Sequence, residues 1–279
     1  MLEALKIGGS PAAGPIVFLE FAMKRFLVAA GAALILGAPA LAADLYVDPV
    51  QPPVIVPTGG WYLRGHIGMS NQKLGSLEHP LFDAVDVHEL VDEGSFDSAP
   101  LGGLGVGYQF NDWLRADAVV EYRGKADFHA LDRYGTNGPG GGTIWNGTND
   151  YTASKSEWLV MANAYVDMGD YYGVVPYIGA GIGASRNTIS HFRDINVPTQ
   201  GVAYASSDSE WNFAWALHAG LGFKATDRLT LDFGYSYVDL GDAKTGAINT
   251  YDGSVTNSPM KFKDITSHDF KFGMRYSLQ

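Results

Sequence analysis

Glu210-Trp211-Asn212-Phe213-Ala214-Trp215-Ala216-Leu217-His218-Ala219-Gly220-Leu221-Gly222-Phe223-Lys224 is the stretch on which the fold turns. Trp211, Phe213, Trp215, Leu217, Ala219, Leu221 and Phe223 take every second position, and Asn212, Ala214, Ala216, His218, Gly220, Gly222 and Lys224 take the others. Successive side chains of a strand point to opposite faces, so this run is a strand with one large apolar face and one small or polar face. Few strands of water-soluble proteins are this long and this one-sided.

Ser267–Leu278 repeats the pattern, with Phe270, Phe272, Met274, Tyr276 and Leu278 against Asp269, Lys271, Gly273, Arg275 and Ser277. Trp113–Arg123 does so again, and Trp61–Ser70, Pro100–Phe110, Glu157–Asp167, Val174–Ser185 and Leu229–Leu240 carry it more weakly. The connections alternate in length. Asn111-Asp112, Met168–Gly173 and Ala225–Arg228 are short, whereas 71–99, 124–156, 186–209 and 241–266 are long and read as structureless. Short turns at one end and long loops at the other are the habit of outer-membrane barrels. The sequence therefore predicts an all-β fold, an eight-stranded antiparallel up-and-down transmembrane β-barrel over 61–279.

Volume decides which face points outward. Eight strands enclose a space just wide enough for side chains, and Trp211, Phe213, Trp215, Phe223, Phe270 and Phe272 would overfill it, so these six are assigned to lipid, with Trp215 near the midplane. The opposite face carries Gly103, Gly105, Gly107, Gly179, Gly181 and Gly183. It also carries Arg64, Arg115, Asp117, Glu121, Arg123, Glu157, Asp232, Lys271 and Arg275, which are expected to neutralise one another as a structural ionic network across the lumen.

Upstream, Met23-Lys24-Arg25, the apolar run Phe26–Gly37 and Ala38-Pro39-Ala40-Leu41-Ala42-Ala43 have the order of a secretory signal peptide, 23–42, cleaved after Ala42. Residues 1–22 then read as a non-native extension from an early start, and the proline-rich 43–60 as a periplasmic lead-in. Removing 1–43 leaves 16 basic and 28 acidic residues, a net charge of −12, which disfavours nucleic acid as a partner. With no cysteine there is neither a disulfide framework nor a thiolate metal site.

Gly60-Trp61-Tyr62-Leu63-Arg64-Gly65-His66-Ile67-Gly68, after Ala43-Asp44-Leu45 and the proline-rich segment, together with Val175-Pro176-Tyr177-Ile178-Gly179-Ala180-Gly181-Ile182-Gly183, resembles the small alphaproteobacterial outer-membrane β-barrel proteins of the porin-family or opacity-like surface type. The resemblance implies a barrel that supports envelope integrity and surface contact, with no catalytic residues to carry over. It also implies lipid, lipopolysaccharide, the barrel-assembly machinery and a host or surface ligand as partners. Such chains commonly end on an aromatic residue; this one ends Tyr276-Ser277-Leu278-Gln279.

The alternatives are a narrow pore, which eight strands and an ionic lumen oppose, and an outer-membrane lipid-A hydrolase or protease. His268 and Asp269 are adjacent and so point to opposite faces. His191 and Asp194 have turn spacing but no third group beside them, and Gly138-Pro139-Gly140-Gly141-Gly142 reads as a hairpin tip. His66 and His218 read as hydrogen-bonded packing residues of the lumen. The first long loop gathers Glu78, Asp83, Asp86, Glu89, Asp92, Glu93 and Asp97 around Lys73, His79 and His88. Its spacing fits no ordered calcium loop, so it reads as solvated and self-repelling. No enzyme activity, cofactor or metal is expected.

Overall fold

Thirteen strands follow one another in the computed structural model, which describes residues 59–278: β1 (Gly60–Lys73), β2 (Ser76–Glu78), β3 (Val87–Phe96), β4 (Ala99–Gln109), β5 (Leu114–Asn137), β6 (Thr143–Asp167), β7 (Val174–Asn196), β8 (Gly201–Ala205), β9 (Asp208–Lys224), β10 (Leu229–Lys244), β11 (Ile248–Thr250), β12 (Thr256–Asn257) and β13 (Lys261–Ser277). The expected signal peptide, the extension before it and nearly all of the lead-in lie outside the described residues.

Eight long strands form the ring β1-β4-β5-β6-β7-β9-β10-β13, every neighbour antiparallel. The ring closes where Tyr62–Lys73 of β1 runs against Ser277–Thr266 of β13. Closure leaves no edge with unpaired backbone groups, the condition for strands to stand in hydrocarbon. Short turns join the strands at the end where the described residues begin and end. In one, the Asn111 side-chain oxygen accepts the Trp113 and Leu114 N–H groups at 3.0 and 2.8 Å.

From Trp113 to Tyr122 the outward side chains are apolar. About ten residues at ~3.3 Å each, tilted by ~40°, cover a band of about 25 Å, the height of an outer-membrane apolar belt. Aromatic rings border the band: Trp61 meets Tyr108 at 5.2 Å at one edge, and Tyr122 meets Trp158 at 4.9 Å at the other. Trp211, Phe213, Trp215, Phe270 and Phe272 point outward, from 36% to 67% exposed, and Phe223 stands beside Phe233 on the same surface. Trp215 is not at the midplane. Its ring lies against Tyr237, and it sits two outward positions from Trp211, which pairs with Arg186 at the outer edge of the belt. Leu217, opposite Ala180 and Tyr237, holds the middle.

The long connections are not structureless. β5, β6 and β7 run 24, 25 and 23 residues, so most of 124–156 and 186–196 is strand, and β2, β3, β8, β11 and β12 occupy parts of the other loops. The pattern of the sequence hides this because its phase inverts. A register shift between Arg123 and Ala126 puts Lys125, Asp127 and His129 outside and Ala126, Phe128 and Ala130 inside. Above the belt the solvent is water, so the apolar face turns inward and the outward face becomes polar. Phe96, Phe128 and Phe262 pack there with centroids 5.0 to 6.0 Å apart, joined by Ile189, Phe192, Leu240, Met260 and Ile265. Gly138–Gly142 forms the expected hairpin tip, with Gly140 and Gly141 at φ of 82° and 86°.

Candidate functional site

The inner face of the belt is built on side-chain alternation plus glycine. A Cβ on Gly103 would strike the His66 imidazole and one on Gly107 the Tyr62 ring, so the small residues make room for the polar ones. All nine ionisable residues read from the alternation lie on this face. Nearest the short-turn end, Arg115 Nε donates to Asp167 at 3.0 Å, and its guanidinium lies 4.0 and 4.7 Å from the ring centroids of Tyr165 and Tyr177. Arg275 grips Asp232 through Nε at 2.8 Å and a terminal nitrogen at 3.0 Å. Arg64 donates to Asp117 at 2.6 Å and to the Tyr165 hydroxyl at 2.7 Å, while Tyr62 and Asn163 add donors to Asp117 at 3.2 and 2.8 Å.

Midway up, Glu121 meets His66 at 2.6 Å and accepts from Lys271 at 2.7 Å and Arg123 at 2.8 Å. Arg123 also reaches Asp269 at 2.6 Å and Glu157 at 3.1 Å, and Lys155 pairs with Glu157 and donates to Gln72 at 2.9 Å. Arg123, Lys155 and Asp269 are wholly buried. Among the described residues the lumen thus holds six cations (Arg64, Arg115, Arg123, Lys155, Lys271, Arg275) against six carboxylates (Asp117, Glu121, Glu157, Asp167, Asp232, Asp269), each within ion-pair distance of an opposite charge. The space left among Arg64, His66, Glu121, His218 and Lys271 is a cavity of 40 Å³, enough for a water or two.

Asp167, Asp269 and Lys155 are the ionic partners that sequence reasoning did not single out. Asp269 stands on the polar face of β13 and could have been added by the same rule. Lys155 lies beyond the phase inversion, in what reads as loop. Of the histidines, His218 contacts Ser236 at 2.8 Å and Asn163 at 3.1 Å, and His268 turns outward to Tyr235, away from Asp269. His191 is exposed at a φ of 57° and does not approach Asp194, which faces inward. Glu89 pairs with Arg133 at 2.7 Å, and Asp83 and Asp86 are exposed.

A second polar site lies above the apolar core, at the outer mouth. Asp132, 1% exposed, accepts from the Tyr151 hydroxyl at 2.7 Å and from the backbone and side-chain N–H of Asn149 at 2.9 and 3.0 Å, with His88 Nε2 at 3.0 Å. Phe82 stacks on His88 at 4.1 Å. These residues border a cavity of 390 Å³. Asp194 borders it too and accepts no side-chain hydrogen bond from any described residue. Burial, with the negative charge of Asp132 second, pushes its carboxyl up to about 7.

A family model described as the outer membrane protein beta-barrel domain matches residues 28–277. The chain belongs to that family. The outer membrane protein beta-barrel assignment fixes the location of the chain in the outer membrane and orients it, with the long-loop end outside. A protein of Brucella suis described as uncharacterized is 32% identical over 270 residues, covering 86% of this chain and 93% of its own length. A Rickettsia bellii protein named as a candidate adhesin is 24% identical, covering 91% of this chain and 99% of its own. The crystal structure of the outer membrane protein OprG from Pseudomonas aeruginosa aligns with a TM-score of 0.43 and 16% identity, over 79% of this chain and 97% of that one. In this outer-membrane barrel, the lumen network lies within the belt, and the Asp132–Asp194 cavity lies toward the long-loop end.

Proposed function

We propose that this protein is a non-conducting structural and surface-interaction barrel, anchored in lipid and lipopolysaccharide, with its lumen closed by the ionic network. The observation that carries the reading is the balance inside the belt: six cations, four of them buried and Arg64 and Lys271 partly so, meet six buried carboxylates around a 40 Å³ void. A pore needs a continuous watery path and sites weak enough to release an ion. Fixed pairs in a narrow lumen supply neither. The strands that continue well past the belt support a role in surface contact, as does the adhesin name carried by the Rickettsia relative. Catalysis is not part of the proposal, since His268 and Asp269 diverge and, among the described residues, no serine, threonine or cysteine is hydrogen-bonded to the Asp132–His88 pair.

Reconstitution of the mature protein in a planar bilayer tests the reading. The expected record is a flat baseline at moderate voltage. Large, stable single-channel steps from the wild-type protein would overturn it and favour the porin alternative.

A further inference from the structure

The outer cavity departs from the rule that the lumen network obeys. Every lumen carboxylate has a cation within ion-pair reach, yet among the described residues no Lys or Arg lines the 390 Å³ cavity or the 540 Å³ depression beside it, and Asp194 borders both. Asp132 is saturated by the hydrogen bonds of Tyr151, Asn149 and His88, so its remaining effect on the cavity is negative charge. Asp194 brings a second carboxylate with no donor among the described residues. Leaving a half-buried carboxylate unpaired costs free energy, and a structural position could hold Asn at less cost.

We propose that this outer cavity is a binding site for an organic cation, an alkylammonium or guanidinium group that docks on the Asp194 carboxylate. Hard metal ions are a poorer fit, because they take six or more oxygens and only one carboxylate here is free. The walls suit an organic cation: Phe82, Tyr134 and Tyr151 offer aromatic faces, which attract such groups when water is excluded, and Asn257 adds an amide at the rim. The cavity has room for a basic side chain and its first waters. The proposal gives a chemical class to the surface contact suggested above, but it does not depend on a closed lumen.

The test is a titration of the refolded, isotope-labelled protein in detergent micelles, following the amide signals of Asn149, Asp194 and Asn196. The probes are n-butylammonium, n-butylguanidinium and Nα-acetyl-lysine methylamide, with n-butanol and calcium chloride as controls. Saturable shifts with the three cations, at least tenfold weaker in Asp194→Asn and unchanged in Asp86→Asn, are expected. Tighter binding of the lysine derivative than of butylammonium assigns the cation to the side chain of a partner protein, and the reverse order to a free amine; either supports the site. Equal binding by Asp194→Asn, equal binding of butanol, preference for calcium, or no saturable shift would each overturn it. Heat-modifiable gel mobility verifies that each variant is folded. Failure here leaves the flat conductance baseline untouched, and a conducting wild type leaves the cation site untouched, so the two proposals fail separately.

Discussion

At the scale of single residues, the same chemistry has opposite consequences at Glu121 and Asp194. Glu121 is 2% exposed and shared by His66, Arg123 and Lys271, so removing it strands buried positive charge. Glu121→Ala is expected to cost roughly 3–5 kcal/mol in urea unfolding followed by tryptophan fluorescence, while Asp86→Ala, exposed in the first loop, changes stability by less than about 0.5 kcal/mol. Among the described residues Asp194 has no such partners. Its carboxyl titrates at about 7 in the folded protein, above its unfolded value, so its contribution to stability is fully present below about pH 4 and is lost as pH rises to 7. The titratable groups facing it are Asp132, His79, His88, Tyr134 and Tyr151. Asp194→Asn should therefore match wild type near pH 4 and exceed it by roughly 2–4 kcal/mol at pH 8, again by urea titration. A variant less stable than wild type at pH 8 would mean that Asp194 has a stabilising partner. Nothing in the sequence marks Asp194 for this role, because the property is the lack of a neighbour, which only the folded chain defines. The lumen ions were legible, since position along a strand is enough to choose their face.

Single strands show where alternation can be trusted and where it misleads. Along β9 the reading holds residue by residue: Trp211, Phe213, Trp215 and Leu217 are outward and Ala214 and Ala216 are buried. Arginine at the centre of the belt should be the worst substitution. Leu217→Arg is expected to lower stability by about 2–4 kcal/mol, Trp215→Arg by less because its side chain can reach the outer interface, and Ala216→Ser, facing the lumen, by little. Refolding yield into vesicles of defined lipid, read by gel mobility, ranks the three; equal losses for Leu217→Arg and Ala216→Ser would contradict the facing of β9. On β5 and β7 the alternation goes out of phase at bulges, after Arg123 and at His191. Beyond those points an apolar-out rule finds Lys125, Asp127, His129 and Arg193 outward and reads a loop. The strands were hidden by a change of solvent along a continuous ladder, from lipid to water, and not by weak strand propensity.

Across the whole molecule, the proposed closed lumen rests on two layers in series, set by that change of solvent. Within the belt the barrel is filled by paired charges around Arg123 and Glu121. Above it, Phe96, Phe128, Phe262 and Phe192 fill the same bore with apolar side chains. Under that proposal an ion crossing the protein must pass both, and the barriers add along the path, so damage to either one alone leaves the other controlling the current. Phe128→Ala with Phe262→Ala opens space only in the outer layer, where a dry apolar cavity still excludes ions. Arg123→Ala loosens the inner layer by freeing Glu157 and Asp269 from a shared cation, yet the aromatic layer remains above them. Each of these proteins is expected to give a flat bilayer baseline, broken at most by rare openings in Arg123→Ala, whereas the triple variant should show resolvable single-channel steps. Steps from the aromatic double variant alone would mean that the charged layer already conducts, and the closed-lumen reading would then fail in the membrane while the outer cavity kept its chemistry.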